Sequence, residues 1–506
     1  MFQGDLETHG GLGNGAPHSI ADLARLIAGE AGVSGRIKAG DGSLLVELLG
    51  LDRWIAVDKR AAELSIKSSG QFDGEMGVEA ALTAGGLDSS ARGTWRIAGD
   101  AGSAANLDVK IASAHLRNPR PGSSSGTLPA SLSGRIALSQ ERAVVTDLAG
   151  SVGGADVAGQ IEIGLAYPVT VDGDVEFGEF DLPAIIAAFT GVSAQGPAAA
   201  RIWPAEPFEQ GLLGQLTGQL KVSAEHVSLT PMLAAKQVRG FAHFNESTLA
   251  FDGIDGSLAG GRLEGDLSLK RGSGGIITAH SRLNISGADL TEIIRGGPPP
   301  LSGRLGFEIA VEGSGRSPVA VIGSLAGTGS FKVQDGNIRQ LDPTAFEGVI
   351  RSVDEGLPVD TNRIRDRMEQ ALGKSGAAIP AAEGEIVIAA GQARLSKIDL
   401  QTEGAALGLA GRLALADNLL DAKLTLYGPE RADAPNGVRP EVDIALKGPL
   451  PTPKRSLDAA EFTNWLALRG IEQQAKRLDA LESGRDSPSE TSSIAAPRSR
   501  KPGAPP

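Results

Sequence analysis

The sequence predicts a mainly β protein: an elongated, repeated antiparallel sheet that forms an open groove, with short interspersed helices and a helix near the C-terminus. Two observations carry this prediction, short runs of alternating apolar residues and a segment that recurs along the chain. A third is composition, with 69 Gly against 13 Phe, 4 Trp and 2 Tyr in 506 residues. A chain of this length exceeds the size of one hydrophobic core, so a repeat array is favoured over one compact domain.

The alternating runs indicate strands with one apolar and one polar side. Leu305, Phe307, Ile309 and Val311 occupy every second position, with Gly, Glu and Ala between them. The same period of two recurs in residues 407–415. A period of two places alternate side chains on opposite faces of a sheet. Each run therefore predicts a half-buried strand.

The recurring segment predicts a strand, a tight turn and a second strand. Residues 150–163 match residues 256–269, which begin 106 positions later, and residues 403–415 are a weaker third copy. All three keep small residues at the turn and alternation around it. Units of this kind stack into arrays in which each contacts mainly its neighbours.

Short helices are predicted directly after two of the hairpins. Asp181 and Asp289 each precede a Leu and an apolar pair, as expected of helix N-caps. Residues 22–27 have the same pattern. If they are an earlier copy, their preceding strands would lie before residue 1, and the sequence predicts that the chain starts inside a repeat.

Three longer helices are predicted towards the C-terminus. They cover residues 346–353, 360–372 and 458–481, and in the second one Ile364, Met368 and Leu372 follow at intervals of four. After the last helix, residues 483–506 are rich in Ser and Pro and are predicted to be disordered.

These patterns divide the chain into five regions. Residues 1–149 are expected to be an N-terminally truncated β-repeat region, and residues 150–300 a β-repeat region with the short Asp-Leu helices. Residues 301–450 form a further β domain, residues 451–482 an amphipathic helix and residues 483–506 the disordered tail.

Composition excludes several partners and sites. A net charge of −13 would repel a nucleic acid. The chain has no Cys, so disulfides and thiolate ligands are excluded, and its six His lack the spacing of a helical zinc pair. We therefore expect no metal and no cofactor.

Export and membrane signals are also not apparent in the sequence. The first residues lack the basic and apolar regions of a signal peptide. Residues 182–200 carry no charge but include Pro and Gly, and are too polar for a membrane helix.

No motif predicts catalysis, so the sequence favours a non-enzymatic protein with no catalytic residues. Residues 122–126 match G-x-S-x-G, but the Pro residues around them indicate a linker and not a strand followed by a helix. Residues 373–375 end a predicted helix, whereas a phosphate loop begins one.

The candidate functional residues are therefore apolar. Such stripes have two interpretations: a groove that holds acyl chains, or an ordinary closed core. The candidate groove face comprises seven positions: Leu263, Leu267, Leu269, Leu305, Phe307, Ile309 and Val311.

Two segments in a fixed order resemble the signature of the AsmA-like family. They are residues 311–318, Val-Glu-Gly-Ser-Gly-Arg-Ser-Pro, and residues 325–338, in which Asp335-Gly336 predicts a hairpin turn. The resemblance extends over about residues 150–481, so region 301–450 is expected to be an AsmA-like C-terminal domain.

The resemblance implies a function in the cell envelope. Family members are held in the inner membrane by an N-terminal helix, which is absent from this chain, and place a long β body in the periplasm. The implied function is outer-membrane assembly through phospholipid movement along an apolar groove. The expected partners are phospholipid and inner- or outer-membrane or other envelope proteins. Two alternatives stay open: a periplasmic scaffold or regulator of protein targeting to the outer membrane without lipid conduction, and a secreted β-rich adhesion protein.

Overall fold

The computed structural model describes most of the chain. The described ranges are residues 2–10, 30–52, 54–71, 75–96, 104–117, 127–166, 168–192, 203–209, 211–230, 233–294, 300–402 and 405–485. Three segments discussed above lie outside these ranges: the possible earlier copy of the short helices at 22–27, the linker at 122–126 and the tail from 486 onward.

The described residues contain 23 strands, all in one sheet. They are β1 (Phe2–Gly10), β2 (Glu30–Ala39), β3 (Ala62–Gln71), β4 (Glu75–Ala84), β5 (Leu87–Arg96), β6 (Ala104–Arg117), β7 (Thr127–Leu138), β8 (Arg142–Val152), β9 (Ala155–Gly164), β10 (Val169–Asp181), β11 (Leu216–Thr230), β12 (Leu233–Phe244), β13 (Thr248–Leu258), β14 (Gly261–Arg271), β15 (Ile277–Asp289), β16 (Leu301–Gly315), β17 (Ala326–Ile338), β18 (Ala377–Ala389), β19 (Gln392–Thr402), β20 (Ala405–Ala414), β21 (Leu419–Tyr427), β22 (Glu441–Pro449) and β23 (Lys454–Asp458).

Seven α-helices accompany the sheet in the described ranges. They are α1 (Gly42–Leu48), α2 (Leu182–Thr190), α3 (Leu290–Ile293), α4 (Pro318–Ser324), α5 (Ala345–Asp354), α6 (Thr361–Leu372) and α7 (Ala460–Arg485). Asp181 and Asp289 cap α2 and α3 as predicted, since their carboxylates accept hydrogen bonds from Ala184 N and Thr291 N. The three late helices also lie close to their predicted ranges.

Each strand pairs with the next one along the chain, from β1 to β23. All these pairs are antiparallel except one: β10 and β11 are parallel. Parallel neighbours need a long crossover, and α2 lies within it. The prediction of a mainly β, largely antiparallel open sheet with short helices and a C-terminal helix is confirmed.

Every strand ends at one of two opposite sides of the sheet, each formed by a row of strand ends. We call these two sides the lower edge and the upper edge. At the lower edge, β2, β10, β11, β15, β17 and β23 end, and α1, α2, α3, α5 and α7 follow them. At the upper edge, β12, β14, β16 and β20 end, and α4 follows β16. The single parallel pair is the reason that even-numbered strands end at the lower edge before it and at the upper edge after it.

The two matching segments form the hairpins that the sequence predicts. In β8–β9, Val152 pairs with Ala155 across Gly153 and Gly154, both with positive φ. In β13–β14, Leu258 pairs with Gly261 across Ala259 and Gly260, with φ of 49° and 75°. Two consecutive left-handed residues give a tight turn whose twist suits the sheet.

The hairpin turn predicted at Asp335-Gly336 is wrong. The chain continues through both residues as strand β17, and pairing with β18 passes from Gln334 to Gly336. The pairing with β16 on the other side shifts by one residue at this point, so that Asp335, with φ of 52°, and Gly336 lie opposite the single residue Gly303. A left-handed Asp followed by Gly supports a β-bulge as well as a turn, and here it makes a bulge.

Among the described residues, most buried apolar side chains belong to four clusters, which lie near the two edges of the sheet. The α1 cluster includes Leu45, Leu64 and Leu82, and the helical cap cluster includes Phe346, Met368, Leu407, Leu426 and Phe462. The lower crossover cluster includes Val227, Leu263 and Ile285, and the upper crossover cluster includes Phe244, Leu249 and Leu269.

Candidate functional site

One face of the sheet is apolar across many consecutive strands. Residues that pair across neighbouring strands point to the same face. Ile136 on β7 pairs with Leu107 on β6 and with Val145 on β8, and Val145 pairs in turn with Ile161 on β9. The apolar positions of successive strands are therefore aligned into continuous rows.

The opposite face is polar and carries ion pairs between neighbouring strands. The pairs include Arg36–Glu63, Arg96–Glu75, Arg135–Asp108, Arg142–Glu162, Lys221–Asp174, Arg412–Asp421 and Lys423–Asp443. Exposed pairs of this kind contribute little to stability, about 0–1 kcal/mol each. Their placement shows which face of the sheet is directed to water.

Away from the lower edge, where the α1 cluster buries Ala114 and Ala130, no described residue forms a second layer over the apolar face of strands β6 to β9. We define the open face as Leu107, Val109, Leu132, Ile136, Val145 and Ile161. All six side chains are half-buried, and none belongs to a core cluster. Neighbours within the sheet cover part of each side chain, and the remainder is accessible.

Beyond β17 the same face is covered by helices at the lower edge. Phe346 of α5 packs edge-on against Phe462 of α7, with ring centroids 5.1 Å apart, and both are fully buried. Trp465 donates its Nε1 hydrogen to Val438 O at 2.7 Å. These helices cover Leu407 and other apolar side chains of the sheet, so this part has a conventional two-layer core.

A buried cation holds α7 in place. Arg469 is only 6% exposed and donates hydrogen bonds to Asp433 and Asp354, with N–O distances of 2.8 and 2.7 Å. The pKa of Asp433 falls to about 2, because Arg431 and then Arg469 donate hydrogen bonds to its carboxylate. The hydrogen bonds to Asp354 and Asp433 raise the pKa of Arg469.

The crossover helix α2 covers the apolar face at the upper edge of β11 to β14. Ile185, Ile186 and Phe189 pack against the upper crossover cluster, and the rings of Phe189 and Phe244 are 5.7 Å apart. The helix starts at the lower edge and reaches the upper one. It therefore lies across the apolar face, between the open face and the strands that follow.

A strap comprising residues 203–209 and 211–215 continues along the upper edge towards β11. Trp203 donates its Nε1 hydrogen to Leu415 O at 3.0 Å, and Phe208 N donates to Arg316 O at 2.8 Å. Arg271 donates to Thr190 O and Glu209 O. The strap thus joins the crossover to the ends of β14, β16 and β20.

The structure places the seven candidate residues on one face, on strands β14 and β16, which flank β15. Leu263 pairs with Ile285, which pairs with Phe307, and Leu267 and Val311 both pair with Ser281. Their burial differs along the strands. Leu263 and Leu269 are buried in the crossover clusters, whereas the other five are half-buried: Leu267, Leu305, Phe307, Ile309 and Val311.

The sequence reasoning missed the open face of β6 to β9. Its signal was present, since Leu107, Val109 and Ile111 alternate with Asp and Lys, and Ile161 and Ile163 flank Glu162. Alternation reveals the apolar side of a strand but not whether a second layer covers it. That depends on where the helices pack.

The described residues contain no group of three or more His, Asp or Glu placed to hold a metal ion. Among the same residues, none of the helices combines the length and hydropathy required to span a bilayer. The feature that remains is the apolar face.

The fold and this face define a mainly β protein built on one open sheet with an apolar and a polar side. Residues 190–374 match the AsmA family model, so this segment is an AsmA family domain. The match covers the end of α2, strands β11 to β17 and helices α3 to α6. No curated protein and no solved structure matched the chain.

Proposed function

We propose that this chain is a non-enzymatic cell-envelope protein that acts in outer-membrane assembly by moving phospholipid along its apolar face. The proposal places the sheet in the periplasm and the protein at the inner membrane. One observation carries it: no described residue forms a covering layer over the six apolar side chains of the open face on β6 to β9.

The energetics of lipid transfer explain why such a face would be useful. Each methylene moved from an apolar contact into water costs about 0.8 kcal/mol, so a phospholipid with roughly 30 methylenes faces a barrier above 20 kcal/mol. A row of aliphatic side chains removes much of that barrier. Few aromatics and many Leu, Val and Ile suit a flexible chain that must slide.

The dimensions of the sheet fit movement over a distance. Twenty-three strands at about 4.8 Å each give a path of roughly 105 Å along the sheet. The apolar rows run along this path, across the strands, because register pairs align them. The family domain at residues 190–374 supports the envelope assignment.

The test is native mass spectrometry of the full chain, expressed in a bacterial periplasm behind an added signal peptide. We expect bound phospholipid. Ile136→Asp should remove it, because a carboxylate on the open face repels acyl chains. Ala137→Asp is the matched control, since Ala137 is the next residue and points to the polar face.

Circular dichroism would first establish that both variants are folded. A folded wild-type chain without lipid would overturn the proposal. Lipid that persists in Ile136→Asp would show that the open face is not where lipid binds.

A second candidate function is a scaffold or regulator of outer-membrane protein targeting. The observation that favours it is the distal part of α7, where Leu468, Ile471, Leu478 and Leu481 are at least half exposed. Their spacing of three, seven and three residues places them along one side of the helix. Such a row suits an envelope protein partner.

Substitutions on this row separate the two functions. Ile471→Asp with Leu478→Asp should lower the amount of assembled outer-membrane protein in cells, while the purified chain keeps its phospholipid. Unchanged assembly with this double variant would exclude the scaffold function for α7.

A further inference from the structure

An apolar cavity of about 230 Å³ lies beneath the start of the crossover helix. Phe180 and Leu182 border it, together with side chains of β11, β12 and β15 such as Val222, Val238 and Leu283. It lies between the lower and upper crossover clusters, and both clusters include Phe180 and Leu182. The cavity is therefore an unfilled space between the lower and upper crossover clusters.

The charged residues next to the cavity are satisfied outside it. Arg239 pairs with Asp255 on the polar face, and Asp266 accepts a hydrogen bond from Gly253 N at 2.9 Å. No charge of the lining is therefore left to bind a headgroup. The cavity suits only the hydrocarbon part of a ligand.

Its size is sufficient for such a ligand. An engineered apolar cavity of about 150 Å³ in another protein stays dry and binds benzene. An empty apolar cavity destabilises the fold in proportion to its volume, and filling it with hydrocarbon restores the lost contacts. A cavity of 230 Å³ therefore favours an apolar occupant.

The cavity is also continuous with the uncovered part of the sheet. Val157 on β9 pairs with Phe177 on β10, Phe177 pairs with Ala224 on β11, and Ala224 pairs with Val238. These four residues form one row across four strands. The row leads from β9, which also carries Ile161 of the open face, to Ala224 and Val238 in the cavity wall.

We propose that the cavity holds the end of one acyl chain of a phospholipid whose remainder lies on the open face. The inference rests on the proposed function, because that function supplies the phospholipid. The accessible apolar surface that continues from the open face then ends at the crossover helix α2. One tail is seated beneath α2, and the headgroup stays outside.

The experiment is photo-crosslinking of the full chain with vesicles of phosphatidylethanolamine and phosphatidylglycerol. A small fraction of the phosphatidylethanolamine carries a diazirine near the methyl end of one acyl chain. Peptide mapping should place crosslinks on the cavity lining, at Val222, Val238 or Leu283. A parallel arm uses dodecanoic acid with a terminal diazirine in place of the phospholipid.

Filling the cavity should abolish this labelling. Ala224→Leu places a larger side chain at a buried position of the lining, and we expect crosslinks there to fall on the order of tenfold, as a few methylenes lose their contacts. Glu225→Leu is the matched control, because the next residue is exposed on the polar face. Val238→Phe is a second filling variant, used if Ala224→Leu does not fold.

The outcomes separate this inference from the proposed function. Crosslinks confined to β6 to β9 would overturn the cavity site and leave the proposed function in place. Labelling of the cavity by dodecanoic acid alone would also overturn it, since the occupant would not be a phospholipid tail. Cavity labelling by the phospholipid probe that persists undiminished in Ile136→Asp would overturn the inference, since the rest of the lipid would then lie away from the open face.

Discussion

Strands β6 to β9 and strands β17 to β23 belong to the same sheet and share an apolar face, yet among the described residues helices cover it only in the second group. In the first group, burial is confined to the lower edge, at Ala114 and Ala130. Ile136 and Val145 are half-buried, whereas Leu407 and Leu426 have no exposed surface. The difference lies in the connections: the later strands are joined or followed by α5, α6 and α7, which fold back over the face. Strand pattern alone therefore does not decide whether an apolar row is core or surface.

The comparison suggests a division of roles. The part with helices has a two-layer core, which is the largest of the four clusters, while the open face retains accessible apolar surface. A soluble protein rarely leaves large contiguous apolar patches exposed unless they bind something. The predictions below test how far the two parts differ.

The largest difference is expected for truncation of a side chain in each part. Phe346→Ala removes a fully buried ring and should destabilise the helical part by about 3–5 kcal/mol. Ile136→Ala removes a half-buried side chain and should cost about 1 kcal/mol. Hydrogen exchange with mass spectrometry would locate each loss. Equal costs would mean that the open face is covered in solution.

Loss of the buried cation should have the next largest effect. Arg469→Ala leaves Asp433 and Asp354 without their partner and should destabilise the docking of α7 by about 3 kcal/mol. Arg36→Ala breaks an exposed pair with Glu63 and should cost less than about 1 kcal/mol. Urea unfolding monitored by Trp465 fluorescence would compare them. A small effect for Arg469→Ala would indicate that apolar packing alone holds the helix.

Acid should loosen α7 before it affects β6 to β9. The pKa of Asp433 is about 2 in the fold, below its ordinary value of 3.8, so its ionised form stabilises the fold fully above pH 4. That contribution is lost as the pH falls from about 4 to 2. With a side chain one-third exposed, we expect about 1.5 kcal/mol, and Asp433→Asn should flatten this part of the pH profile. An unchanged profile would contradict the assignment.

The smallest effect is expected on the polar face. Arg135 lies within ion-pair distance of both Asp108 and Asp147, and all three side chains are largely exposed. Arg135→Gln should reduce stability by less than about 1 kcal/mol at low salt, and by less still at high salt. A thermal melt at two salt concentrations would measure it. A large, salt-independent loss would show that Arg135 has a packing role.

Much of the fold could be predicted from the sequence because its signals are local. Alternation, turn glycines and Asp caps depend on a few consecutive residues, and the structure has the predicted hairpins at Gly153 and Gly260 and the caps at Asp181 and Asp289. Asp335-Gly336 shows the limit of such signals, since one dipeptide suits both a turn and a bulge.

The site was less predictable because it depends on distant contacts. The sequence analysis names Leu263 and Leu269 as candidate groove residues, but both are buried in the crossover clusters. Their burial arises from the crossover, whose strap binds Leu415 some two hundred residues away. The parallel pairing of β10 and β11 has no local signal either. Both features decide which part of the face is accessible.

That parallel pair also has a consequence for how the chain assembles. Hairpin partners meet early, because only a short loop must close, but each residue of β10 lies 47 positions from its partner on β11. We expect the strands before and after this point to form as separate cooperative units, joined late by the slowest step. We also expect β10 and β11 to separate first when the native sheet is under tension or unfolds locally.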